Sequence, residues 1–138
     1  MTTMLEQGQQ LVRGELPSPP SARLLGFVLK ALDPGRAVFE MEADERHHNL
    51  MGTLHGGFYC ELADAAIGIA YASVLGEGFT TAERKINFLR AVRKGKLTTE
   101  AKVVKAGGTL CHAEYDETDG DPDEPCHLHH QARTHRLH

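Results

Sequence analysis

The sequence predicts an α+β fold in which an antiparallel sheet packs on one long helix. Three observations carry that expectation: two alternating runs joined by Asp33-Pro34-Gly35, one apolar run from Phe58 to about Leu75, and later strand-like runs separated by glycine-bearing turns. With 138 residues, 41% hydrophobic and 25% charged, the chain fits a single globular domain with an ordinary core.

Taken in order, residues Thr2 to Arg13 carry a helical pattern in Met4, Leu5, Leu11 and Val12, and Pro17, Pro19 and Pro20 break it. Residues 1–20 are therefore read as an N-terminal helix and linker. Ser21 is expected to cap a short turn through Leu25. Phe27 to Leu32 reads as a strand, and Asp33-Pro34-Gly35 supplies the tight turn of a hairpin. Its partner is Arg36 to Ala43, where Phe39, Met41 and Ala43 alternate with Val38, Glu40 and Glu42, one face buried and the other wet. Asp44 to Leu50 is a loop whose His47 and His48 are expected to be solvated, since adjacent histidines need not converge on one ion and no other ligand set stands at metal spacing.

The long helix is apolar on nearly every side, with Leu62, Ala63, Ala66, Ile67 and Ala70 among its residues, so it must be buried on most sides. It is expected to end at Gly76-Glu77-Gly78, where a glycine suits the left-handed conformation of helix ends. Phe79 to Val92 then reads as one long strand, Leu97 to Lys105 as the next and Thr109 to Thr118 as a third, giving an antiparallel meander.

The bulk numbers exclude several classes. A net charge of -4, with Lys and Arg dispersed, argues against a nucleic-acid partner. No apolar run in the sequence approaches the ~20 residues that span a bilayer, and Met1 to Pro20 lacks the apolar core of a secretory signal, so a cytoplasmic protein without a membrane partner is expected. Cys60, Cys111 and Cys126 are odd in number and widely spaced, which speaks for reduced thiols.

Chemistry concentrates in Asn49-Leu-Met-Gly52-Thr-Leu-His55-Gly56-Gly57 and the helix behind it. Glycines expose bare backbone amides, and the first amides of a helix have no partner inside it. His55-Gly56-Gly57 is thus a plausible oxyanion hole. Asp64 sits in an apolar helix seven residues after Gly57 and is read as a catalytic carboxylate.

Asn49-x-x-Gly52-x-x-His55-Gly56-Gly57 with Leu62-Ala63-Asp64, the later Lys85-Ile-Asn-Phe-Leu-Arg90 strand and the Gly107-Gly108 turn resembles the hotdog-fold acyl-CoA thioesterases, the branch related to phenylacetate-pathway and 4-hydroxybenzoyl-CoA thioesterases. The resemblance runs from about Leu24 to Thr118. It implies a sheet wrapped around one central helix. It also implies that the Gly56 amide donates to the thioester oxygen, that His55 and Asn49 orient loop and substrate, that Asp64 acts from the partner subunit, and that Thr81 holds the water. Asp64 would serve either as general base or as nucleophile; the sequence leaves both open. Gly57, Arg90, Lys105, Gly107 and Gly108 are candidates for the phosphates and pantetheine of coenzyme A, which enters only as part of the substrate; no cofactor and no metal are expected.

Gly57 and Asp64 lie roughly 10 Å apart along one helix, so two antiparallel copies of that helix in a symmetric dimer are the economical way to build a site. The resemblance implies the same shared sites, with a dimer of dimers beyond. Two other readings of the chain stand beside hydrolysis: a hotdog dehydratase or isomerase, and a non-catalytic acyl-CoA binding protein. Residues 119–138, rich in prolines, acidic residues and histidines, depart from the family. They hold too little apolar surface to offset the ordering entropy of a strand, so a surface tail and a sheet one strand short are expected.

Overall fold

The computed structural model describes residues 2–76, 79–85, 91–106, 110–118 and 128–136; at 79, 82–85 and from 106 onward it is the backbone that is described. Helix α1 is Met4–Val12, opened by a capping box in which Thr3 accepts from the Glu6 amide and Glu6 accepts from the Thr3 amide. Helix α2, Pro20–Leu25, starts on its prolines without a side-chain cap, so Ser21 lies inside it and does not cap it. The fixed φ of proline already suits a first helical turn.

Strands β1, Phe27–Asp33, and β2, Arg36–Ala43, form the expected hairpin, with Asp33 opposite Arg36 and Gly35 at φ +76. The register slips by one between Leu29 and Ala31, which makes Lys30 an extra residue. Inward parity shifts with it, from Phe27 and Leu29 to Leu32. The turn is tied to the far end of the long helix, because the Gly35 amide donates to Ser73 Oγ at 2.9 Å.

Helix α3, Gly56–Leu75, ends where Gly76 takes φ +68. Leu62, Ala63, Ala66, Ile67, Ala70 and Tyr71 are buried, and their small neighbours let β2 and β4 close over the helix. By length and composition α3 could span a bilayer, contrary to the expectation that no run comes near that length. In the fold it is the core helix under the sheet.

Strand β3 is Phe79–Lys85; residues 86–90 lie outside the described ones, and 91–93 are not in a strand, so the single strand from Phe79 to Val92 is not what forms. Strands β4, Gly95–Ala106, and β5, Leu110–Thr118, pair antiparallel. The inward residues of β4, namely Leu97, Thr99 and Ala101, are buried against α3.

Two expectations fail on topology. The sheet order is β1-β2-β4-β5-β6-β3, so β3 is at the far edge and is not the neighbour of β4, as a meander would require. After α3 the chain returns on the opposite side of the sheet, and β4 goes back to β2. The second failure is the expected tail: Leu128–Arg136 is a strand, β6, paired on one side with β5 and on the other with β3. An interior position satisfies backbone groups on both edges of a strand, a stabilisation that a count of apolar side chains omits. The result is a six-stranded antiparallel sheet around one helix, as the resemblance implies.

Candidate active site

The loop ahead of α3 is built by its own side chains. Asn49 Oδ1 accepts from the amides of Met51 at 2.9 Å and Thr53 at 3.2 Å, while Asn49 Nδ2 donates to Thr53 Oγ1 at 3.0 Å. Gly52, at φ +74, makes the reversal. An Asn at the start of such a turn satisfies amides that would otherwise face solvent unordered. The loop is pinned to the segment before β4 by the Leu54 amide, which donates to the Val92 carbonyl at 2.7 Å, and by the His48 ring on the Arg93 carbonyl.

The expectation of a solvated His47 is overturned, since the residue is buried, at 3% exposure. Its Nδ1 accepts from the Asp44 amide at 3.1 Å and its Nε2 donates to the Leu25 carbonyl at 2.9 Å, so both ring nitrogens are tied to backbone groups. The ring meets Phe58 edge to face at 4.8 Å, and the His47 carbonyl accepts from the His55 amide at 2.9 Å. One buried imidazole thus joins the end of α2, the turn Glu45–His47 and the first turn of α3.

His55 is the N-cap of α3, an unusual cap, with Nδ1 accepting from the Gly57 amide at 3.1 Å. The Phe58 amide donates to the His55 carbonyl at 3.0 Å. That leaves the Gly56 amide, at the first helical position, without a partner among the described residues. The helix start therefore presents one donor, Gly56, with the positive end of the helix behind it. The Gly57 N–H holds the His55 ring, and a Cβ there would sit 3.3 Å from His55 Nδ1.

Asp64 lies on the half-buried side of α3 about two turns further on. Thr81 on β3 donates its hydroxyl to Asp64 Oδ1 at 2.9 Å, so the strand at the sheet edge orients the carboxylate. The resemblance pointed to Thr81 as the residue that holds the water, but its bond to Asp64 was not legible, because Thr81 reads equally as a β-branched strand residue. Within one chain the Gly56 amide and the Asp64 carboxylate stand at different levels of the helix. Lys105 is exposed on β4 with its backbone opposite His112, while Arg90, Gly107 and Gly108 lie outside the described residues.

Beside Asp64 is a cavity of about 300 Å³ that sequence reasoning did not find. Glu61, Asp64 and Ile69 of α3 form one wall and Phe27, Leu29 and Phe39 of the hairpin another. The N-terminal segment adds Leu11, Ser18 and Pro19 to its lining. The spacing Glu61-x-x-Asp64, which puts both carboxylates on one helix face, was the only sequence signal for it.

The chain matches the thioesterase superfamily over residues 51–126. It is 37% identical over 91 residues to a Saccharolobus solfataricus protein described as an esterase, spanning 65% of each chain. It is 28% identical over 121 residues to human acyl-coenzyme A thioesterase 13, spanning 86% of each. The structure of the E. coli PaaI protein from the phenylacetic acid degradation operon superposes with a TM-score of 0.83 at 23% identity, covering 99% of this chain and 97% of that one, which establishes the fold alone. The superfamily match spans the His55 cap, all of α3 and both ends of the Asp64–Thr81 bond, and at more than half of the sequence it makes this chain a member of the thioesterase superfamily.

Proposed function

We propose that the protein hydrolyses acyl-CoA thioesters to the free acid and coenzyme A, at sites shared between two subunits. The observation that carries this reading is the Thr81 to Asp64 bond of 2.9 Å, which aims a half-buried carboxylate from within an apolar helix. A carboxylate so placed can take a proton from water or attack a carbonyl carbon itself. The Gly56 amide, backed by the helix start, suits the negative charge that develops on the thioester oxygen.

As general base, Asp64 takes a proton from water as the water oxygen bonds to the acyl carbon, the carbon–sulfur bond breaks, and the coenzyme A thiolate leaves and takes up that proton. As nucleophile, the Asp64 carboxylate bonds to the acyl carbon and expels the thiolate, and water then cleaves the mixed anhydride, which releases the acid, regenerates the carboxylate and leaves a proton for the thiolate. Asn49 and His55 shape the loop that presents Gly56. Gly56 and Asp64 are eight residues apart, roughly 12 Å of helix, too far for one carbonyl group to meet both. A twofold pair of α3 helices brings the Gly56 amide of one subunit toward the Asp64 of the other.

The test is thiol release from a panel of acyl-CoA thioesters by wild type and by Asp64→Asn, which keeps size while removing basicity and nucleophilicity. Turnover is expected to fall by about three orders of magnitude with the oligomeric state kept. Near-wild-type turnover in Asp64→Asn removes Asp64 from the chemistry. Tight binding of acyl-CoA by wild type with no thiol release selects the non-catalytic reading.

A further inference from the structure

We propose that α1 and the segment joining it to α2 form the specificity wall of the acyl pocket, and that this wall limits the substrate to compact acyl groups, a single ring or a medium chain. The proposal rests on the hydrolase reading above for the identity of the ligand. It goes beyond that reading in assigning the N-terminal segment a role in choosing the acyl group.

The cavity beside Asp64 is bordered from α3 by two carboxylates one turn apart, Glu61 and Asp64, while Phe27, Leu29, Phe39 and Ile69 supply its main apolar part. A thioester whose carbonyl lies at Asp64 therefore directs its acyl group into the apolar part. About 300 Å³ holds on the order of ten non-hydrogen atoms, taking the ~30 Å³ that a water occupies in the liquid as the unit. Octanoyl and phenylacetyl groups are of that size, and a dodecanoyl group exceeds it.

In the proposed wall the end of a longer chain meets Leu11, together with Ser18 and Pro19, which line the cavity from the N-terminal segment. Leu11 is held there because α1 is pressed onto the body of the protein at Gly8, three residues earlier on the same helix face. A Cβ at Gly8 would lie 2.2 Å from Leu32 Cδ2 and 3.3 Å from Ile69 Cδ1, so α1 packs on Leu32 of β1 and Ile69 of α3 with no free space at Gly8. Ile69 also lines the cavity, which couples the seating of α1 to the width of the pocket.

The experiment measures kcat/KM by thiol release for butyryl-, octanoyl-, dodecanoyl- and phenylacetyl-CoA, and calorimetric affinities for the matching non-hydrolysable thioethers. Wild type, Leu11→Ala, Leu11→Trp and Gly8→Ala are compared by ratios between acyl groups, which a uniform loss of folded protein does not move. Wild type is expected to prefer octanoyl and phenylacetyl over dodecanoyl by roughly tenfold or more. Leu11→Ala and Gly8→Ala raise the dodecanoyl to octanoyl ratio by about tenfold, and Leu11→Trp shifts preference toward butyryl. Identical ratios in all four proteins, or a wild-type optimum at dodecanoyl, overturn the wall. If wild type releases no thiol from any thioester, the hydrolase reading fails by itself, and the same ratios read from thioether affinities decide the wall. Absence of thioether binding overturns both.

Discussion

Thr81 and Asp64 are 17 residues apart in the chain and joined by a 2.9 Å hydrogen bond that ties the edge strand β3 to the middle of α3. The carboxylate accepts, so its orientation depends on how β3 is seated, and β3 in turn pairs with β6 along Phe79 to Lys85. The site is thus coupled to the last strand of the chain.

Removing that hydroxyl isolates its contribution. Thr81→Val keeps the β-branched shape and is expected to lower kcat roughly 10- to 100-fold, the range for losing a hydrogen bond to a charged group. Thr81→Ser is expected to keep most of the activity. Steady-state kinetics on octanoyl-CoA checks both, and equal kcat in Thr81→Val and wild type dismisses Thr81 as the group that positions Asp64.

Shared sites predict complementation. Asp64→Asn and His55→Ala proteins, each inactive, are unfolded together and refolded at equal concentrations. Half of the random dimers then hold one complete site of two, so activity returns to roughly a quarter of wild type. Mixed dimers demonstrated by mass spectrometry with no recovered turnover would place each site within a single subunit.

Strand β6 predicts protection. Its backbone pairs with β5 from Leu128 to His135 and with β3 from Gln131 to Arg136, so amide exchange over residues 131–135, paired on both sides, is expected to be as slow as in β5. Ala132→Pro, which deletes a ladder donor opposite Ala113 and Arg84, is expected to cost about 2 kcal/mol or more in denaturant unfolding. Fast exchange throughout residues 128–136 would return this segment to the surface tail expected from composition.

The loop turn predicts an acid limit. Hydrogen bonds from the Arg46 guanidinium, and then from the Arg46 amide, hold the Asp44 carboxyl down at about 2. A folded value below the unfolded one, near 3.9, means that the interaction contributes fully above pH about 4 and is lost as pH falls toward 2. Asp44 is exposed, so the effect is small and screened by salt. Arg46→Met is expected to raise the midpoint of acid unfolding, as followed by circular dichroism at low ionic strength. An unchanged midpoint assigns acid sensitivity to other pairs, of which Arg36–Glu100 is the next to examine, since Arg36 lowers the Glu100 carboxyl in the same way.

The sequence by itself determined the elements whose signals are local. The hairpin was legible in Asp33-Pro34-Gly35 and in the alternation of Arg36 to Ala43, and β2 has those bounds. The long helix was legible in its apolar run and its stop at Gly76. Such signals work because turn chemistry, capping and periodicity are properties of neighbouring residues. Tertiary structure alone decided the rest. It put β3 at the far edge, inserted β6 between β3 and β5, buried His47 between α2 and α3, and brought Leu11 and Pro19 to the cavity at Asp64. Each of these depends on groups distant in the chain satisfying one another's hydrogen bonds or filling one another's space. The free energy of those contacts appears only after the sheet has closed on the helix, and for β6 it outweighs a local composition that argues against a strand.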